Sequence, residues 1–152
     1  MQHFRNDDIC LVRMTEEHTD MVAELEKECF VEPWSSKSLE MLLGTSGIAF
    51  VVVQQDKVVA YAGMMTVLDE GQITNVAVST EHRRKGYGRL VIDALIDYAI
   101  EHHFYSISLE VRESNVAAIS LYEKCGFEKC GIRKGFYRFP SEAAVIMTKT
   151  IG

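Results

Sequence analysis

The forty residues from Gln72 to Val111, "QITNVAVSTEHRRKGYGRLVIDALIDYAIEHHFYSISLEV", constrain the fold more than any other stretch of the chain. They read as an apolar strand, a basic loop broken by two glycines, and a helix from about Tyr87 to His102 with Val91, Ala94, Leu95 and Tyr98 on one face. A second strand, "YSISLEV", follows. A strand, helix, strand crossover makes its two strands parallel neighbours. Whatever surrounds this unit must therefore build onto a sheet with a parallel pair inside it.

The flanking sequence supplies the rest of that sheet. "DICLVRM" alternates like a strand, and Thr15 precedes a helical stretch, "EEHTDMVAELEKECF", in which Val22, Leu25 and Cys29 share a face. Residues 29–36 make an elbow containing Pro33 and Trp34, after which Ser35 or Ser36 caps a short helix that ends at Gly44. "IAFVVVQ", "KVVAYAGMMTV" and "QITNVAVS" are three strands joined by the turns "QDK" and "LDEG", short enough for an antiparallel meander. Beyond the crossover, Ser114 or Asn115 caps "VAAISLYEKC", Gly126 stops that helix, and "FEKCGIRKGFY" with "AAVIMTK" can close the sheet as an antiparallel pair. The reading is α+β: a single domain over residues 1–152 with a mixed, twisted central sheet flanked by helices.

Composition narrows the function. Four scattered cysteines form no Cys-x-x-Cys pair and five histidines no His-Glu-x-x-His, so neither a metal nor a redox couple is indicated. A net charge of −6 argues against general nucleic-acid binding, which needs a basic face. The longest apolar run, Ile48 to Val53, is too short to cross a bilayer, and the expectation is a soluble cytoplasmic protein.

Within this acidic chain, "HRRKGYGRL" stands out. Backbone N–H groups at a helix N-terminus, with glycines that let a ligand approach closely, make an anion site. Arg83, Arg84, Lys85 and Arg89 surround Gly86, Tyr87 and Gly88 with positive charge suited to a pyrophosphate. A Walker loop is excluded because no Ser or Thr follows a Gly-Lys pair. A dinucleotide fingerprint fits poorly, since Val91 stands where a third small residue belongs.

The remaining pattern, Arg-x-x-Gly-x-Gly over Arg83 to Gly88, resembles the acetyl-CoA signature of the GNAT superfamily of N-acetyltransferases. The order of elements resembles that superfamily across essentially the whole chain. "PWS", "NVAV" and "LEVRESNVAAISLYEKCGF" are together similar to its RimI branch, the ribosomal-protein-alanine N-acetyltransferases of bacteria.

The resemblance implies a set of roles. The backbone of Val76, Ala77 and Val78 would run along the pantetheine arm of acetyl-CoA, the loop from Arg83 to Arg89 would cradle the pyrophosphate, and Asn115 would bind the cofactor arm through its amide. Tyr122, two helical turns beyond Asn115, would bind the cofactor and protonate the departing thiolate. Glu110 lies between Leu109 and Val111 and faces away from them. By the same resemblance it would be the base that receives the acceptor's proton, directly or through water.

The chemistry implied is direct attack of an amine on the thioester, with no acylated cysteine and no metal. Trp34 and Tyr137, with Phe136, would wall the acceptor groove. Ser141-Glu142 stands where relatives often carry an acidic pair, after a shorter loop. The expected acceptor is a protein N-terminus, that of a ribosomal protein beginning with alanine. Lysine side chains, a polyamine, or acetyl-CoA binding without catalysis are the alternatives.

Overall fold

In the computed structural model, which describes residues 2–4 (backbone only), 8–138 and 140–152, eight strands join one sheet. β1 (Gln2–Phe4) and β2 (Ile9–Arg13) form its first edge. A 3-10 turn then leads into α1 (Thr19–Cys29), and α2 (Ser36–Leu39) runs on into a second 3-10 turn. The meander is β3 (Gly47–Gln54), β4 (Lys57–Val67) and β5 (Glu70–Val78). After it come α3 (Tyr87–Glu101), β6 (Ser106–Arg112), α4 (Val116–Lys124), β7 (Glu128–Arg138) and β8 (Ser141–Thr150).

The crossover is present, and β5 and β6 are the parallel pair; every other pairing is antiparallel. The strand order is β1-β2-β3-β4-β5-β6-β8-β7, so the last strand inserts between β6 and β7. The β3–β4 turn places Gln55 and Asp56 at φ 50° and 63°, the double left-handed pair that matches the twist of a two-residue hairpin. Of the two candidate caps at each helix start, Ser35 takes Ser38 N at 3.2 Å and Asn115 takes Ala118 N at 3.1 Å. The edge strand β1 was not legible in the sequence, because three residues are too few to show an alternation.

Both faces of the sheet are covered. Ile48, Val52, Leu95, Ile107, Leu109 and Met147 belong to the core beneath α3 and α4, whereas Val22, Leu25, Leu39, Ala49, Val51 and Ala77 belong to the core beneath α1 and α2. Neighbouring strand residues such as Ile48 and Ala49 fall into different cores, the alternation expected of a strand buried on both sides.

One irregularity opens the sheet. β5 pairs with β6 only from Glu70↔Ser106 to Gln72↔Ser108, and immediately afterwards its register with β4 shifts between Gly63 and Met64, with Thr74 as the extra residue. A bulge bends its strand. Beyond it the β5 edge is no longer paired with β6.

Candidate active site

The unpaired length of β5 forms one wall of a cleft of about 500 Å³. Thr74, Asn75 and Val76 line it from β5, Leu109, Glu110 and Val111 from β6, Asn115 and Tyr122 from α4, Tyr137 from β7, and Glu26 and Trp34 from the first helical layer. The expected base, acid and groove aromatics Trp34 and Tyr137 are thus brought together by four separate segments, whereas Phe136 lies outside the lining.

The two parted strands divide the cleft by face. Leu109 and Val111 belong to the α3/α4 core, so Glu110 projects toward the α1 face, where Trp34 and Tyr137 also stand. Tyr122 belongs to α4 and its core on the opposite face, and Asn115 caps the start of that helix. Arg133 binds Glu110 from β7, its Nη1 lying 3.0 and 2.9 Å from the two carboxylate oxygens, and the Tyr137 hydroxyl donates to the Glu110 carbonyl at 3.2 Å. Glu110 is 18% exposed and Arg133 59%, so the pair spans from cleft to solvent. Arg112 stacks over the Tyr137 ring and pairs with Glu142 at 3.2 Å. Hydrogen bonds from Ser114, then from Arg112, hold the Glu142 carboxyl below its ordinary value. Glu142 therefore fastens the start of β8 to the loop that carries Asn115.

Tyr122 is 8% exposed, its ring edge-on to Phe127. Burial pushes its phenol well above the ordinary tyrosine value, so the hydroxyl remains a proton donor at working pH. Cys29 also reaches the cleft, but its Sγ donates to Val78 O at 3.5 Å and burial raises its thiol, which suppresses the nucleophilic thiolate.

The basic loop sits where β5 leads into α3. Gly86 is the α3 N-cap at φ +83°, with nothing within 4 Å of where a Cβ would stand. Its missing side chain leaves the first N–H groups of a 15-residue helix uncapped and approachable, an arrangement that fits a pyrophosphate. A Cβ on Gly88 would come within 3.3 Å of Leu121 and 3.5 Å of Val78, so that glycine lets α3 pack tightly against α4 and β5. The loop residues do not all act alike. Tyr87 is 1% exposed in the core and can offer a ligand only backbone. Arg83 turns back, its Nε donating to Val78 O at 3.2 Å, whereas Arg89 pairs loosely with Asp93 at 3.6 Å on the exposed side of α3. Asn115 spends its Oδ1 on the cap of α4, which leaves Nδ2 to bind a cofactor.

Two cleft residues escaped the sequence reading. Glu26 is fully buried, and three donors converge on it: Trp34 N at 2.9 Å, Asn75 Nδ2 at 3.0 Å and the Tyr61 hydroxyl at 2.5 Å. The signal was its position four residues after Val22, on the same helical face as Leu25 and Cys29. Asn75 carried no such signal beyond being polar within a strand. Among the described residues, no group of three or more His, Cys, Asp or Glu could hold a metal, and no helix is long and apolar enough to cross a membrane.

Comparison with known proteins places this geometry. Residues 19–127 match the profile of the Acetyltransferase (GNAT) family. The chain is 37% identical over 139 residues to the [ribosomal protein bS18]-alanine N-acetyltransferase of Escherichia coli K12, covering 89% of this chain and 94% of that one. It is 36% identical over 137 residues to the putative enzyme of the same name from Bacillus subtilis, covering 89% and 91%. The crystal structure of the ribosomal-protein-S18-alanine N-acetyltransferase from Escherichia coli superposes with a TM-score of 0.88 at 32% identity, covering 95% of this chain and 94% of that one.

Proposed function

We propose, since the chain belongs to the acetyltransferase (GNAT) family, that it acetylates the N-terminal α-amine of a ribosomal protein, an alanine in the first instance. As a member of that family it is an N-acetyltransferase that uses acetyl-CoA. The observation that carries the reading is the placement of Glu110 and Tyr122 in one cleft, reached from opposite faces of two parted strands. The choice of acceptor is supported by the relatives of 36–37% identity, which are named for bS18 alanine.

Acetyl-CoA supplies an activated acetyl thioester. The uncapped first turn of α3 with the side chains of Arg84, Lys85 and Arg89 would hold its pyrophosphate, the open edge of β5 at Val76 to Val78 its pantetheine, and Asn115 Nδ2 would donate to the same arm. Glu110 takes the proton of the acceptor nitrogen, and its carboxylate, partly open to solvent, releases it to water. The Tyr122 hydroxyl, kept protonated by burial, donates to the leaving sulfur. An α-amine, with a reference pKa of ~7.7–8.0 against ~10.4 for lysine, presents a useful neutral fraction near pH 7, and a carboxylate suffices as its base.

The test is acetyl-CoA-dependent transfer to three acceptors side by side: an Ala-initiated ribosomal N-terminal peptide, its N-blocked lysine-containing counterpart, and spermidine, with the modified atom located by mass spectrometry. Acetylation of the free α-amine alone is expected. Preferred transfer to lysine or spermidine would retain the enzyme class and overturn the acceptor.

A further inference from the structure

Glu26 and Asn75 form a fixed pair in the cleft with no part in the roles described so far. Ile73, Val76 and Val78 pack with the α3/α4 core, and Ala77 with the α1/α2 core. Asn75, two residues before Ala77, therefore lies on the α1 face, the face to which Glu110 projects. Both Glu26 carboxyl oxygens act as acceptors, Oε1 from Trp34 N and Oε2 from the Tyr61 hydroxyl and the Asn75 side chain. This fixes which end of the Asn75 amide points at Glu26: the NH2 group does, at 3.0 Å. The other end, Oδ1, is buried and has no hydrogen-bond partner among the described residues. A buried carbonyl-type oxygen left unsatisfied is costly unless a ligand supplies the donor.

We propose that this donor is the acceptor amine, and that Asn75, oriented by Glu26, is a substrate-binding residue of the transfer reaction. A neutral primary amine has two N–H bonds and one lone pair. With one N–H on Asn75 Oδ1 and the other on Glu110, the lone pair is the one direction left for the acetyl carbon. As the C–N bond forms and the C–S bond breaks, the proton on the Glu110 side passes to that carboxylate, and sulfur receives its proton from the Tyr122 side. The N–H held by Asn75 remains as the amide N–H of the product. Glu26 touches no substrate and acts as a positioning residue. The inference rests on amine acetylation in this cleft and holds whichever primary amine is used.

The experiment compares an Ala-initiated peptide with its N-methyl-alanine counterpart, whose neutral nitrogen has a single N–H. Both are measured on the parent enzyme, Asn75→Leu, Asn75→Ser and Glu26→Gln, with melting temperature and acetyl-CoA affinity recorded for each. Asn75→Leu should lose about tenfold in kcat/KM on the primary amine, the worth of one hydrogen bond. It should lose little on the N-methyl peptide and leave acetyl-CoA affinity unchanged. Glu26→Gln, which puts an NH2 group where an oxygen held the Asn75 amide, should show the same selective loss. If Asn75→Leu fails to fold, Asn75→Ser carries the comparison. If the N-methyl peptide is not turned over, its inhibition constant replaces kcat/KM. Equal losses on both peptides, or none on either, overturn the proposal. Should the parent prefer a lysine or polyamine acceptor, that amine and its N-methyl derivative replace the peptides, so the choice of acceptor can fail while this inference is still decided.

Discussion

A phenol shut away from water gives up its proton reluctantly, and Tyr122, raised chiefly by burial, is such a phenol. It suits a site where negative charge develops beside the hydroxyl and is removed with the product. Tyr122→Phe should leave acetyl-CoA affinity unchanged and lower kcat by about a hundredfold, the scale of one well-placed general acid; steady-state rates with calorimetric binding decide this. Glu110→Gln should lose rate most steeply at low pH, where the acceptor is mostly ammonium and its deprotonation limits the reaction. A pH-independent loss would remove Glu110 as the base. Both positions could be marked as candidates from the sequence because their neighbours form a contiguous motif, and the fold brings them into one cleft. Glu26 and Asn75 could not be paired in the same way: they lie 49 positions apart and meet only once α1 packs on β5. Arg83 shows the converse, a motif residue whose side chain the fold turns back onto its own strand.

At the level of elements, the junction of β5 and α3 joins stability to binding. Gly86→Val would place a side chain in the open approach to α3 and force a left-handed backbone on a branched residue, at about 1–2 kcal/mol. The acetyl-CoA dissociation constant should rise at least about tenfold while the fold persists, since no protein atom stands in the way of the new Cβ. The same junction is tied down by Glu28, which accepts from the Thr80 hydroxyl and backbone N–H, both at 2.6 Å, and whose carboxyl those bonds lower below its ordinary 4.5. A lowered carboxyl adds stability above its ordinary value and loses it as the pH falls through the lowered one. The melting temperature of the parent should therefore exceed that of Glu28→Gln at pH 7, and the difference should shrink as the pH falls below the ordinary carboxylate range. Strands and helices here were legible because apolar alternation and caps are local. The insertion of β8 between β6 and β7 was not, since sheet order depends on which edges meet in space.

Over the whole molecule, two cores clamp a sheet that is continuous except along one seam. A ligand lying in that seam binds the folded chain alone, and at about a hundred times its dissociation constant it should stabilise the fold by about 2.7 kcal/mol. For a chain of this size that is a rise in melting temperature of about 5–10 °C. Thermal shift with acetyl-CoA measures it, and Gly86→Val should blunt it.

The seam also bears on how traffic would move. On the assignment made here, the thioester and the amine arrive from opposite faces of the sheet, so neither must leave before the other enters, and initial-rate plots should intersect rather than run parallel. A bulky, already folded polypeptide can be served through such a slot, because only its first few residues have to cross the threshold.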